Sequence, residues 1–371
     1  LAAVSGVAAA QSNVTIYGIV DTGYVYKTGH DIYMDENVNN RLGFRGVEDL
    51  GSGWKATFAL EKRFNLYDGT TKGHKGGDTE FDGESTVGFK HAKWGAVRFG
   101  RVNELTTETI RKFDPFYQYG VGAMLEGSQR SPRISRTVRY DSPVWAGFNF
   151  GLTYTRGKNT DPMSSNGWEY KQSVSEHRGD ISNDGYGVML GYNNGGLSLV
   201  GNWSRLSDSN KSSVWNLGAA YRFGDVKLEL LYQQTRDKGW HDGKESDWNG
   251  GTIKTGRNAE AYPGFDAATD VELREKQWLL GLEWKLGPGR LNASAQWMEV
   301  EGRGVSNYGY DGKDDWDIYK YAIGYTYNLS KRTAIYGNVA YTDYDDKHVA
   351  AIYGDADDGV VGVQVGITHK F

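Results

Sequence analysis

The chain carries many residues able to do chemistry, but their spacing matches no common catalytic arrangement. Seven histidines are scattered along it, and there is no His-x-x-x-His pair, serine nucleophile elbow or phosphate-binding loop. Cysteine is absent, which removes thiol nucleophiles, disulfide scaffolds and zinc–thiolate clusters. Gly120-x-Gly122 lacks the strand–turn–helix setting of a nucleotide site. Asp355, Asp357 and Asp358 have the charge to attract calcium, but their spacing is not that of an EF-hand, and a solvated acidic loop accounts for them better. No enzymatic activity, metal or cofactor is therefore expected. What remains is charge set in rows. Arg41 and Arg45, Glu61 and Arg63, then Arg98 and Arg139 sit in segments that alternate polar and apolar side chains. Such arginines shape an electrostatic field, and the elements that hold them decide what the field acts on.

Composition points to sheet. The 371 residues include 51 glycines, 25 tyrosines and 12 tryptophans, a mixture that favours twisted strands and tight turns over helix. The formal net charge of −5 gives no reason to expect a nucleic-acid partner. No window approaches the roughly 18–20 apolar residues of a membrane-spanning helix. That says nothing against a membrane barrel, which presents apolar side chains only at alternate positions. Leu1 to Ala10 is small and apolar and ends in Ala8-Ala9-Ala10. It reads as the remnant of a secretory signal peptide, with a single domain over residues 11–371.

From Val14 onward the period is two. Val361, Val363, Val365, Ile367, His369 and Phe371 alternate with Gly362, Gln364, Gly366, Thr368 and Lys370. Trp278, Leu280, Leu282, Trp284 and Leu286 behave alike, as do Tyr319, Tyr321, Ile323, Tyr325 and Tyr327. The apolar face gathers aromatics towards its ends, where lipid headgroups would lie. Connections supply the stronger signal. Short turns at Asp49–Gly53, Lys93–Gly95, Ser142–Gly147, Asn194–Gly196, Gly224–Asp225, Gly287–Gly289 and Ser330–Arg332 alternate with eight long polar segments. Among the long ones are Thr28–Asn39, Leu66–Gly83, Val102–Ser135 and Asp345–Asp358. Seven turns and eight loops join sixteen strands. An even count closes an antiparallel sheet and leaves no backbone edge in lipid. A barrel that wide encloses an aqueous channel.

Several segments then resemble one family, the trimeric general porins of the Gram-negative outer membrane, in their betaproteobacterial branch. Asn13-Val14-Thr15-Ile16-Tyr17-Gly18-Ile19-Val20-Asp21 resembles the opening strand, and Arg41-Leu42-Gly43-Phe44-Arg45-Gly46-Val47-Glu48-Asp49-Leu50-Gly51 the second strand and first turn. Val97 to Arg101 and Val138 to Pro143 resemble the strands flanking the third loop, and Thr368-His369-Lys370-Phe371 the C-terminal signal read by the barrel-assembly machinery. The resemblance implies a homotrimer in the outer membrane, in contact with its lipid and lipopolysaccharide. It would carry small hydrophilic solutes and ions by passive diffusion. It further implies that the third loop folds inward to narrow the pore. Relatives often place an arginine at the start of the fourth strand, where this chain has Gly83 followed by Glu84.

Alternation assigns the pore wall. With Leu42 and Phe44 towards lipid, Arg41 and Arg45 face the lumen; the same parity turns Lys55, Glu61, Arg63, Arg98 and Arg139 inward. The resemblance adds Arg133 to the wall, and Glu104, Glu108, Asp114 and Glu126 as carboxylates on the third loop. As surface charges on an ordinary sheet these arginines would need no explanation; two on a lumen face cost little only where water is present. Between Val102 and Arg139 six basic residues accompany four acidic ones, so the constriction is expected to favour anions weakly. The alternative is a substrate-specific channel in which Phe113, Phe116, Tyr117 and Tyr119 form a stacking track. An outer-membrane hydrolase needs a Ser–His pair that cannot be assembled here. A soluble propeller needs a Gly-His…Trp-Asp repeat that is missing.

Overall fold

The computed structural model describes residues 13–71, 80–125, 133–157, 184–206, 212–238, 272–303, 315–345, 347–353, 355 and 357–371. Residues 1–10 lie outside this set.

Period-two alternation folds into sixteen long antiparallel strands. The first quarter is β1 (Asn13–Lys27), β2 (Arg41–Gly51), β3 (Trp54–Arg63) and β4 (Ser85–His91). Next come β5 (Gly95–Asn103), β6 (Arg133–Asp141), β7 (Phe148–Thr155) and β8 (Gly185–Asn194). Then follow β9 (Leu197–Arg205), β10 (Ser213–Phe223), β11 (Val226–Lys238) and β12 (Glu272–Leu286). The last are β13 (Gly289–Arg303), β14 (Asp315–Asn328), β15 (Thr333–Tyr344) and β16 (Gly359–Lys370). Each strand pairs with its neighbours in sequence, and β1 pairs with both β2 and β16, so the sheet closes. A short strand, Tyr33–Asp35, adds to β1 within the first loop. No described helix is long and apolar enough to cross a membrane.

Alternation places side chains as the sequence predicts. Leu280, Tyr321, Ile323 and Val365 are exposed on the outer wall, while Gln277, Glu283, Asn338 and Gln364 are buried on the inner one. An exposed apolar outside with a polar inside is the reverse of a water-soluble barrel. Six of the seven short turns fall where glycine or proline marks them, and the seventh is Ser330–Arg332. Gly224 and Gly287 have φ of +56° and +58°. A two-residue hairpin of the II′ kind requires this sign at its first central residue. Strands run far out towards the long loops: β11 continues to Lys238 and β12 starts at Glu272. Ladder hydrogen bonds carry these segments past the point where alternation fades.

The barrel's apolar core is inside the lumen. Leu105, Ile110, Phe113 and Met124 of the third loop cluster with Met189, Val200, Ala220, Leu231 and Leu279 of the inner wall. A hollow cylinder offers no such core, so the in-folded loop supplies it.

Candidate functional site

Two charged clusters line the β2–β6 wall. On β2 and β3 the register sets Arg41 opposite Arg63 and Gly43 opposite Glu61. Glu61 lies 2.6 Å from Arg63 and 4.0 Å from Arg41. The Arg45 guanidinium sits 5.1 Å above the Tyr17 ring. Arg133, at the start of β6, is within electrostatic reach of Arg63, Glu61 and Asp82. In the second cluster Arg98 and Arg139 face each other across β5 and β6. Arg98 reaches Glu84 at 2.8 Å and Asp141 at 2.9 Å. Arg139 reaches Asp141 at 2.9 Å and Glu108 at 2.6 Å.

The third loop delivers Glu108. It begins with helix α1 (Leu105–Ile110) and a 3₁₀ turn, Arg111–Phe113, and is described as far as Leu125. Its seat is a track of inward glycines. A Cβ at Gly218 would lie 2.9 Å from Phe113, one at Gly281 2.7 Å from Pro115, and one at Gly324 3.0 Å from Phe116. Asp114 holds the loop's shape: its carboxylate accepts the backbone N–H groups of Phe116, Gln118 and Met124 at 2.7–3.0 Å. Burial pushes the Asp114 carboxyl above its ordinary pKa, and those three donors offset only part of the rise. Further along, Tyr117 donates to Glu283 at 3.1 Å, Val121 N–H to Gln364 at 3.3 Å, and Leu125 N–H to Gln296 at 2.6 Å. The loop is thereby fastened to β12, β16 and β13.

Tyr119 bridges from loop to wall. Its hydroxyl accepts from Arg41 at 3.4 Å, and the Arg111 guanidinium stacks 5.5 Å from its ring. Burial raises the phenol's pKa, but Arg111 and Arg41 outweigh it and leave the group below its ordinary value.

The loop carboxylates therefore divide. Glu108 meets the wall arginine Arg139. Glu104 is buried and caps α1, accepting from Thr107 N–H and Ser204 at 2.8 Å each. Asp114 is fully buried within the loop. Glu126 lies outside the described residues. Burial also divides the wall: Arg63 and Arg139 are 5% and 4% exposed, while Arg45 stands open to the lumen. Arg101 lies near the end of β5, where the pairing with β6 shifts register after Gly100. It is buried and donates to the Asp82 carbonyl and Ser135 at 3.0 Å each.

The last loop also turns inward, through helix α2 (Lys347–Ile352). Tyr353 donates to Glu275 on β12 at 2.7 Å. Asp355 pairs with Lys27 on β1 and accepts from Tyr344 at 2.6 Å. The acidic run beginning at Asp355 is thus engaged in ion pairs and hydrogen bonds, Asp357 with Lys347 at 3.2 Å. Among the described residues no cluster of side chains has the makings of a metal site.

A closed sixteen-strand wall, apolar outside and charged inside, with an inward third loop, matches the comparisons with known proteins. A family model for Gram-negative porins covers residues 1–347. The chain belongs to the Gram-negative porins. This porin is 30% identical to an outer membrane porin protein of Bordetella pertussis, spanning 100% of this chain and 97% of that one. Outer membrane porin protein 32 of Delftia acidovorans is likewise 30% identical, with 100% and 97% covered. Among solved structures, the anion-selective porin from Comamonas acidovorans superposes with a TM-score of 0.69 at 25% identity, over 97% of this chain and 100% of that one. The porin is a channel protein of the outer membrane.

Glu84, Asp141 and Glu283 complete the porin's charged lining although sequence reasoning assigned none of them to the pore, and it placed Tyr119 only in the stacking-track alternative. Asp141 shares the parity of Arg139, and Glu84 that of Thr86 and Gly88, so alternation contained both. The Tyr119–Arg41 and Tyr353–Glu275 contacts had no local signal. Gly83 has a steric reason: a Cβ there would lie 2.6 Å from the Glu61 carbonyl and carboxylate.

Proposed function

We propose that this porin is a homotrimeric general diffusion channel with a weak preference for anions, and that its constriction lies between the third loop and the β2–β6 wall. The observation that carries the reading is the one-sided charge of that gap. Arg41, Arg45, Arg63, Arg98, Arg111, Arg133 and Arg139 gather there with five carboxylates, Glu61, Asp82, Glu84, Glu108 and Asp141. Most are paired, so the surplus is small and the preference weak. The Comamonas acidovorans structure, described as anion-selective, supports the same sign. Gly83 in place of a further arginine keeps the surplus low.

A substrate-specific stacking track is less well supported. Phe113 and Phe116 are buried against the wall, and Tyr117 and Tyr119 are held by Glu283 and Arg41. Trimerisation would cover part of the outer face of β1 and β16, where Val14, Ile16 and Val365 are exposed.

The test is single-channel recording in planar bilayers. Ohmic steps that close in threes and scale with salt are expected, without saturation by added sugars. Saturating conductance with one solute, or single uncoupled steps, would contradict the proposal.

A further inference from the structure

Along the edge of β1 the first loop has residues to spare. Arg41 opens β2 opposite Ile19, and the short strand Tyr33–Asp35 ends opposite Gly23. Residues 20–22 of β1 therefore face residues 36–40 of the loop, three against five. Extra residues in an antiparallel ladder leave the sheet as a bulge, and bulges re-aim side chains. This one turns into the lumen. Its foot is Asp21, buried on the inner face of β1, whose backbone N–H donates to Asn40 Oδ1. The Asp21 carboxylate accepts from Asn37 N–H and from the Tyr336 hydroxyl on β15, each at 2.7 Å. Asn40, also buried, donates in turn to the Glu36 carboxylate.

The bulge touches both sides of the gap. On the wall side the Asn39 carbonyl accepts from Arg41 Nε at 3.1 Å and from Arg63 at 3.4 Å, so one backbone oxygen orients two wall arginines. On the other side Asn37 Oδ1 lies against Gly120, at the tip of the third loop. A Cβ at Gly120 would sit 2.0 Å from that oxygen and 2.3 Å from Gln364 Oε1. Asn338 Nδ2 on β15 donates to the same Asn37 oxygen at 3.4 Å. The tip needs such a hold. Tyr117, Gln118 and Gly120 have φ of +55°, +63° and +62°. Residues with side chains persist in that left-handed region only where their surroundings enforce it. Position 120 requires glycine twice over, for its φ and for the close approach of Asn37 and Gln364.

We propose that residues 36–40 of the first loop are a brace that completes the constriction. Asn37 positions the tip of the third loop against β15 and β16, and the Asn39 carbonyl positions Arg41 and Arg63. Displacement of the first loop at the external face therefore reaches the narrow part of the pore through these contacts. Asn37 is a positioning residue, since it acts through Gly120. The inference rests on the constriction proposed between the third loop and the β2–β6 wall, and it adds the element that closes that gap at its β1 end.

The chain has no cysteine, so Asn37→Cys with Gly120→Cys supplies a single pair for cross-linking. The two positions are in contact, and a disulfide forms only between neighbours of this kind. Mild oxidation of the assembled porin should join them, as read by mass spectrometry of the digested protein with and without reductant. In planar bilayers the oxidised pair should stay fully open, and reductant should raise the time spent in partly closed states. Asn37→Ala keeps the backbone N–H to Asp21 and loses the side-chain acceptor. It should raise that time about two- to tenfold, the population shift expected from one lost hydrogen bond, at an unchanged melting temperature. Ile32→Ala, in an exposed part of the same loop, is the control and should match the wild type. Absence of the cross-link in assembled porin, wild-type closures in Asn37→Ala, or an equal rise in Ile32→Ala would overturn the brace. Should the cysteine pair fail to assemble, Asn37→Ala and Ile32→Ala decide. The constriction is judged separately, by the reversal potential of Arg41→Gln with Arg45→Gln. A shift there, beside wild-type closures in Asn37→Ala, would remove the brace and leave the constriction standing.

Discussion

Glu108→Gln isolates the contribution of the third loop to selectivity. Glu108 is the described loop carboxylate that meets a wall arginine, at 2.6 Å from Arg139, and a third of its side chain remains accessible. Its loss does not strand Arg139, which keeps Asp141 at 2.9 Å, so wall geometry should persist. An ion passing about 8 Å from the carboxylate feels about 0.5 kcal/mol in a water-like dielectric. Removing that charge lowers the anion barrier and raises the cation barrier by the same amount, so the permeability ratio moves by about 1 kcal/mol, or about fivefold. Screening over a Debye length of about 8 Å at physiological ionic strength reduces this to about twofold. The assay is the reversal potential of the purified variant in planar bilayers under a potassium chloride gradient, at low and high salt. A rise in anion preference, larger at low salt, is the expected result. An unchanged ratio at low salt would show that ions do not pass α1, and a shift towards cations would refute the sign.

Three further outcomes follow from packing. Asp114→Ala leaves three buried N–H groups without their acceptor, at a cost of about 1–3 kcal/mol each, so the loop should loosen and single-channel current noise should rise without loss of the barrel. Gly83→Arg forces a side chain into Glu61, where a Cβ would already lie 2.6 Å away. Overpacking of this kind costs about 1–3 kcal/mol, and the variant should unfold at lower temperature by circular dichroism. Phe371→Ala removes the ring that packs on Gly18 at the β1–β16 closure, where the two backbones exchange hydrogen bonds of 3.1 Å. Surface levels in cells should fall sharply, and normal levels would count against a role for Phe371 in assembly.

The wall was legible because a barrel strand exposes its two faces to opposite solvents. Val361 to Phe371 and Trp278 to Leu286 show it plainly, and glycine or proline marks six of the seven turns. The lumen arginines follow from the same parity. What the sequence concealed is the interior. Glu104 and Glu108 look equivalent, yet four residues on one helix separate a buried cap from an accessible ion-pair partner. Asp114 has the charge expected of a constriction residue but serves backbone donors, which depends on a loop conformation no period encodes. Inward glycines such as Gly218, Gly281 and Gly324 trace the seat of the third loop, but only once the loop is known to lie there. The inward turn of the last loop rests on Tyr353 and Glu275, 78 positions apart, and no local pattern joins them.

The central claim is that arginines on the β2–β6 side set a weak anion preference in a water-filled pore. Arg41 and Arg45 test it most directly, since Arg41 touches Tyr119 and Glu61 while Arg45 stands open over Tyr17. The measurement is the zero-current potential across a bilayer holding the porin, under a salt gradient, for the wild type and for Arg41→Gln with Arg45→Gln. Anion preference in the wild type, moved towards cations in the double variant, is the result expected. Cation preference in the wild type, or the same potential in both proteins, would contradict the account.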